Sequence, residues 1–392
     1  MEIVIVGGGY AGLSCALRLA HRARRAGRAV RVRLINPAPV LVERIRLHQA
    51  ATGQRLRERR LDRLLERAGV ELVLGWATAL DPEAGTVEVG GQCLRWDRLV
   101  LALGSQAGGR QVPGAAEHAQ ALEPPSATEA RGRLQGLPSG ARVAVVGGGL
   151  TGLEAAAEIA ESHPHLGVQL VCRGGVVDDF GSEGRAYAKQ VLESLGVMLS
   201  EGVDVRAVRD RQLDTVGGPI PFDLCVWTAG FRLPALPREA GLRVNARGQV
   251  LVDPALRSVS HPHIYAVGDV AAPVLDPGQP LPMGCKSAMP AGVHAGDNLV
   301  RELVGSELLP FDYALLFYCV SLGRRAGLIQ WADAQGRPTG KVLTGARGAL
   351  FKEVICRTTW WALLLEARGR KAVVWKTTGR APRELPAGEL VA

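Results

Sequence analysis

AVVGGGLTGLEAA, from Ala144 to Ala156, repeats in outline the opening stretch IVIVGGGYAGLSCA, from Ile3 to Ala16. Gly7, Gly9 and Gly12 recur as Gly147, Gly149 and Gly152, each 140 positions later. In both copies four apolar residues precede the glycines and small or apolar residues follow. That pattern predicts a buried strand, a tight turn and a helix. The first glycine permits the turn, the second lets the backbone approach a pyrophosphate, and the third lets helix and strand pack closely. Free N–H groups and the positive end of the helix dipole would then hold anionic phosphates. Two such units predict two bound dinucleotides.

At 392 residues the chain exceeds the ~250–300 at which a single core stops growing, so two or three domains are expected. With 47% hydrophobic residues and 49 glycines it reads as globular and rich in turns. Met1 leads straight into the strand at Ile3–Val6, and no signal peptide is expected. No apolar run approaches the ~18 residues of a membrane span; WWALLL (Trp360–Leu365) is the densest patch. Seven scattered cysteines, with no CxxC and no metal-ligand cluster, suit a reducing cytoplasm and predict no metal.

The net charge of +9 is uneven, because residues 1–70 hold fifteen arginines against five acids. HRARRAGRAVRVR (His21–Arg33) and RLRERRLDRLLERAG (Arg55–Gly69) carry most of it. The plainer reading is solvated helix faces, with Arg57, Arg60 and Arg67 pairing to acids three or four residues away. The sharper reading is a basic surface for an acidic partner or anionic lipid. Nucleic acid is not expected, since no recognition motif or aromatic interleaving accompanies the charge.

After the first unit, a second strand is predicted at Ala29–Asn36 and an antiparallel meander between Trp76 and Arg95. RLVLALGS (Arg98–Ser105) reads as a buried strand ending in a glycine turn, and a link with Pro113, Pro124 and Pro125 leads to the second unit. There a helix from Gly184 to Leu195 and a strand in DLCVWTAG (Asp223–Gly230) complete the pattern. HPHIYAVGDVA (His261–Ala271) places a strand before Gly268 and Asp269.

In this order the pieces resemble the two-dinucleotide-binding-domain flavoproteins, the FAD/NAD(P)-dependent pyridine nucleotide oxidoreductases. The likeness is nearest to type II NADH dehydrogenase-like proteins and covers residues 1–305. It implies an α/β fold of two Rossmann-like domains. The FAD domain would be discontinuous (1–112 and 232–310), with the NAD(P)H domain (113–231) inserted. Residues 311–392 would form a small region for dimerisation, an interface or membrane contact. FAD would lie on Gly7, Gly9, Tyr10, Ala11 and Gly12, beside Asn36, Arg44, Ala102, Gly104, Gly268 and Ala288, with Asp269 on its ribityl chain. NADH or NADPH would take Gly147, Gly149, Thr151, Gly152, Arg173 and Gly230, and Glu154 of GGGxxGxE would position the nicotinamide. VLVERIRLHQAATGQ (Val40–Gln54) stands where the family's chain runs past the flavin.

Several positions depart from that pattern. Asn36 replaces the acid that binds the adenosine ribose; its amide can bond a hydroxyl, or serve as a turn former before Pro37. In the second unit the acid is replaced by Cys172 with Arg173 beside it. Arg173 is either a pairing partner for a 2′-phosphate or an exposed strand-end residue. No CxxxxC follows the first turn, so a dithiol relay is absent, and Cys285 alone stands near the flavin. In MGCKSAMPAGVHAGDNL (Met283–Leu299), Lys286 and Pro290-Ala291 occupy the places of the family's glutamines. Pro290 suits a first helical turn aimed at the flavin's pyrimidine edge, with Lys286 either adding positive charge there or lying on the surface. FKEVICRTTWWALLLEARGR reads as an interfacial helix with Trp360 and Trp361 at headgroup level, or as one packed on the body or a dimer partner.

The expected activity is that of an FAD-dependent NAD(P)H oxidoreductase, with hydride passing from nicotinamide to flavin N5 and electrons onward to an acceptor such as a quinone. The catalytic candidates are Glu154 and Lys286. Without the glutamines, a lipid-tailed quinone should serve less well than a soluble one. A biosynthetic flavoenzyme, a reductase for an iron–sulfur carrier and a nucleotide-sensing interaction protein are the alternatives. A cytoplasmic location is expected, with peripheral membrane contact and a homodimer left open.

Overall fold

The computed structural model describes residues 1–109, 111–123, 126–273 and 281–379; Pro124 and Pro125 of the expected link lie outside them. The chain begins with β1 (Glu2–Val6), α1 (Tyr10–Arg25), β2 (Arg31–Asn36), α2 (Leu47–Ala51) and β3 (Val70–Leu74). An antiparallel meander of Ala77–Asp81, Thr86–Val89 and Gln92–Arg95 precedes β4 (Arg98–Leu101). Next come β5 (Ala119–Ala121), β6 (Arg142–Val146), α3 (Leu150–Ser162), β7 (Gly167–Val171), α4 (Ser182–Ser194), β8 (Met198–Ser200) and β9 (Leu224–Trp227). The last labelled elements are β10 (Ile264–Ala266), α5 (Cys285–Leu303), β11 (Phe317–Leu322), β12 (Ala326–Ala332), β13 (Pro338–Leu343) and α6 (Gly345–Glu366).

Two five-stranded parallel sheets carry the repeat, ordered β10-β4-β1-β2-β3 and β8-β7-β6-β9-β5. Each strand that leads into a glycine turn sits in the middle of its sheet. Val6 lies opposite Ile35 and Leu101, and Val146 opposite Val171 and Trp227. Such strands are covered on both faces, which is why IVIV and VAVV are continuous apolar runs. Chain crosses between the sheets at Gln106–Ala107, which pairs antiparallel with Phe231–Arg232.

The third region holds an antiparallel sheet, β11-β12-β13, with α6 against it. Gly327 and Gly348 let the two approach backbone to backbone, since a Cβ on Gly348 would sit 2.3 Å from the Gly327 carbonyl oxygen. This region closes on both others. Phe311, Tyr313 and Leu363 join the core of the first sheet, whereas Val320, Leu322 and Leu328 join that of the second.

Helix α5 lies directly on α1. A Cβ on Gly292 would come within 2.1 Å of the Ala11 carbonyl oxygen, and one on Gly296 within 2.9 Å of that of Cys15. The small residues of PAGVHAG therefore follow from helix packing at close range. Pro290 sits in the second turn of α5, not the first as its position suggested. The helix starts five residues earlier, after Gly284, and its opening is set by the Gly284 N–H bonding to Asp269.

Candidate cofactor and electron-transfer site

Both glycine turns are open cradles. Gly7 and Gly147 have φ of +114° and +129°, and a Cβ on Gly12 or Gly152 would collide with the Gly7 or Gly147 carbonyl oxygen at 1.9 or 1.8 Å. These four positions admit only glycine. Gly9 and Gly149 differ: a Cβ there would meet nothing within 4 Å. Each is the N-cap of its helix, α1 or α3, and neither helix has a side-chain cap. The first N–H groups of both helices thus face open space, which is the arrangement an incoming diphosphate requires.

Around the first turn, Ala102 backs Gly7, and Gly268 fits between the methyl groups of Ala11 (3.1 Å) and Ala288 (3.6 Å) from where its own Cβ would be. Asp269 is held from two sides, accepting from Ser105 Oγ at 2.7 Å and the Gly284 N–H at 2.9 Å. These residues form one cleft with the fit of an FAD site. Tyr10 turns its ring into the core, and Gly104 takes a positive φ after β4. Asn36 braces the turn: its Oδ1 accepts from the Gly8 N–H at 2.9 Å and its Nδ2 donates to the Ala38 carbonyl at 2.7 Å. These bonds give Asn36 the turn-bracing role, which does not exclude a bond from its amide to a ribose hydroxyl. Arg44 is exposed, while Arg46, two residues on, is buried and grips Glu353 of α6 at 2.9 and 3.0 Å.

At the second turn Thr151 is exposed, Gly230 has a positive φ, and Arg173 is exposed at the end of β7. Cys172 is buried against Gly148, and burial pushes its thiol up to about 11. Burial likewise raises Cys285, and Cys356 to about 12, so these are neutral thiols without the character of a sulfur relay.

Glu154 is not an ordinary first-turn carboxylate. It is 6% exposed and lies where α2, α3, β11 and α6 converge. Lys352 Nζ stands 2.9 Å from its Oε1, the Ser321 N–H donates to that oxygen at 3.1 Å, and His48 Nδ1 lies 3.6 Å from Oε2. Lys352 also donates to the Cys319 carbonyl at 3.3 Å. Burial alone would raise the carboxyl pKa, but Lys352, His48 and the Ser321 N–H outweigh it and the net shift is downward. Burial would lower Lys352, yet Glu154 and the neighbouring Cys319 carry it upward. The pair is ionised. His48 goes the other way, lowered chiefly by burial to about 4 and so neutral at pH 7.

Lys286 is not a surface residue. Its Nζ donates to the Phe317 carbonyl at 2.7 Å and sits 5.0 and 5.5 Å from the ring centroids of Phe317 and Tyr318. Its ammonium ties the start of α5 to β11. Ser105, His48, Ser321 and Lys352 were not singled out from the sequence. Of these, His48, Ser105 and Lys352 fall in stretches already marked, but nothing local distinguishes Lys352. Among the described residues no group of His, Cys, Asp and Glu is arranged to hold a metal ion, and no helix is long and apolar enough to cross a membrane.

Residues 1–292 match the family described as pyridine nucleotide-disulphide oxidoreductase. An NADH dehydrogenase-like protein of Mycobacterium tuberculosis is 32% identical, the match covering 79% of this chain and 82% of that protein. A type II NADH:quinone oxidoreductase of Staphylococcus epidermidis is 26% identical over 90% of this chain and 94% of its own. In fold the chain is similar to the sulfide:quinone oxidoreductase of Aquifex aeolicus, with a TM-score of 0.79 at 18% identity over 93% of this chain and 92% of that one.

Proposed function

The chain belongs to the pyridine nucleotide-disulphide oxidoreductase family and is an FAD-dependent NAD(P)H oxidoreductase; on that premise we propose that its electron acceptor is a quinone. FAD held in the cleft at the first turn would supply the hydride-accepting and electron-passing chemistry. The observation that carries the reading is the pair of open, uncapped glycine turns at the ends of two parallel sheets. Gly7, Gly9 and Gly12 with Asp269 hold the flavin nucleotide, and Gly147, Gly149 and Gly152 hold the nicotinamide nucleotide. The division into 1–112 with 232–310, 113–231 and 311–392 follows from that assignment.

Glu154 keeps the Lys352 ammonium in place inside the protein. Electron transfer to flavin and acceptor builds up negative charge, and Lys352 Nζ is a buried cation fixed by a carboxylate that makes it hold its proton tightly. We assign it to electrostatic stabilisation of that charge, with Glu154 and His48 as positioning residues. An acceptor can approach along α6, where Leu350, Val354 and Trp361 are exposed on the helix that carries Lys352. That stripe is also the surface for peripheral membrane contact.

The test is anaerobic rapid mixing with NADH or NADPH, followed by reoxidation with a soluble short-chain quinone. Rapid bleaching of the flavin and many turnovers are expected. Slow, single-turnover reduction with no quinone able to reoxidise the flavin would overturn the reading in favour of a nucleotide sensor.

A further inference from the structure

The ribose-binding end of the second unit differs in charge from one built to reject a 2′-phosphate. A cleft of ≈ 560 Å³ opens beyond β7, lined by Arg173, Ser182, Arg185 and Lys189 together with Asp178 and Glu201. It adjoins the second glycine turn: the Val177 N–H donates to the Gly148 carbonyl at 2.9 Å, and a Cβ on Gly148 would lie 2.8 Å from Cys172 Cβ. In a doubly wound sheet the dinucleotide's adenosine ribose lies beside the strand that follows the glycine helix, and here that strand is β7. The cleft is therefore where a 2′-substituent would project.

Three cations face two carboxylates in this lining, and both carboxylates already serve the loop. Glu201 accepts from the Val176 N–H at 2.7 Å and from Lys189 at 2.5 Å. Asp178 accepts from the Gly175 N–H at 2.8 Å and lies 3.8 Å from Arg185. Among the described residues Arg173 has no ion-pair partner. Position 172, from which an acid would reach the ribose hydroxyls and repel a phosphate, is a buried cysteine. A phosphate dianion is what this set of donors lacks.

We propose that this cleft is a 2′-phosphate site, read by Arg173 and Arg185, and that the protein takes NADPH in preference to NADH. The inference rests on the NAD(P)H reading above and narrows it to one dinucleotide. Arg173 supplies a planar, unengaged guanidinium at the strand end, and Arg185 approaches from α4 on the other side of the loop. A guanidinium can pair two oxygens of one phosphate, which a point charge such as Lys189, already held by Glu201, cannot do as well.

Two measurements on the flavin-loaded protein test this. In calorimetric titrations, adenosine 2′,5′-bisphosphate should bind about tenfold or more tightly than adenosine 5′-monophosphate. In Arg173→Ala and Arg185→Ala that advantage should shrink. In anaerobic flavin reduction the NADPH-to-NADH ratio of rate over Kd should favour NADPH and fall about tenfold in Arg173→Ala. Equal binding of the two adenosine probes, or an advantage that survives in both variants, overturns the site. Reduction by NADH with no preference for NADPH also overturns it, while leaving the oxidoreductase reading intact. No flavin reduction by either dinucleotide instead defeats the oxidoreductase reading and this inference with it.

Discussion

Gly9 and Gly12 stand three residues apart and fail for different reasons when replaced. Gly9 has an extended backbone that any residue adopts and open space where its Cβ would be. Gly9→Val should therefore fold with the Tm of the flavin-stripped parent yet purify colourless, because the isopropyl group fills the diphosphate's place. Full flavin absorbance in that variant would remove the first turn from the site. His48 offers a test by pH. Its folded pKa, about 4, lies below the ordinary 6.5, so on acidification the unfolded chain binds the proton first. Its contribution is intact above pH 6.5 and is lost as pH falls toward 4, a change on the order of 3 kcal/mol. Denaturant titrations should show the stability gap between the parent and His48→Gln narrowing over that window. A gap that stays constant from pH 7 to 4.5 would mean that His48 does not titrate as its burial implies.

The contact between α1 and α5 makes flavin affinity depend on helix packing. Gly292 faces the Ala11 carbonyl, which as backbone cannot turn aside as a side chain would. Gly292→Val must push the helices apart, at a cost of about 1–3 kcal/mol. Since Ala11, Gly268 and Ala288 meet at the same crossing, flavin should be lost along with stability, unlike in Gly9→Val. A lowered Tm with full flavin retention would show that the crossing does not shape the cleft. Helix α6 divides its two tryptophans. Trp360 packs inward under the Arg59 guanidinium, which lies 5.0 Å from its ring centroid, and Trp361 remains 58% exposed. The packing on the body that the sequence allowed is thus present along one face, and a narrower face is left to solvent.

Arginines of the first seventy residues pair mostly across the fold. Arg18 joins Asp297 and Glu366 at 2.9 and 2.6 Å, Arg33 joins Glu2, and Arg59 joins Glu43. The expected pairing along helix faces is not what forms. Arg60 pairs with Asp62, only two residues away, and among the described residues Arg57 and Arg67 make no ion pair. Breaking the buried Arg18–Glu366 pair by removing one partner should cost several kcal/mol, because a charge is left without compensation. With Arg46–Glu353, these contacts hold α6 in place and so keep Lys352 on Glu154. Outward on α6, Leu350, Val354 and Trp361 form an apolar stripe flanked by the exposed Arg347, Arg357 and Thr358. Trp361→Glu and Leu350→Glu should lower cosedimentation with anionic lipid vesicles while flavin content and Tm keep the parent values. Unchanged vesicle association would leave the stripe without a lipid role.

Both glycine turns, the strands that lead into them and Asp269 were legible in the sequence, because each rests on a local rule. A parallel strand buried on both faces must be continuously apolar, and a turn with φ above 100° must be glycine. The same locality explains the errors. Pro290 looked like a helix start because a proline tolerates that position, but Gly284 and Asp269, fifteen residues apart in sequence, set the start five residues earlier. The bond from Lys286 to the Phe317 carbonyl was equally hidden, because nothing in its sequence neighbourhood reveals that partner. Glu154 was visible as a residue, but its electrostatics were not. Its partners His48, Ser321 and Lys352 come from three other segments, and a buried carboxylate takes its charge state from whatever those segments bring within about 4 Å. That dinucleotides could bind was written in local backbone geometry, whereas the charge around the reacting groups was decided only by folding the C-terminal region back over both sheets.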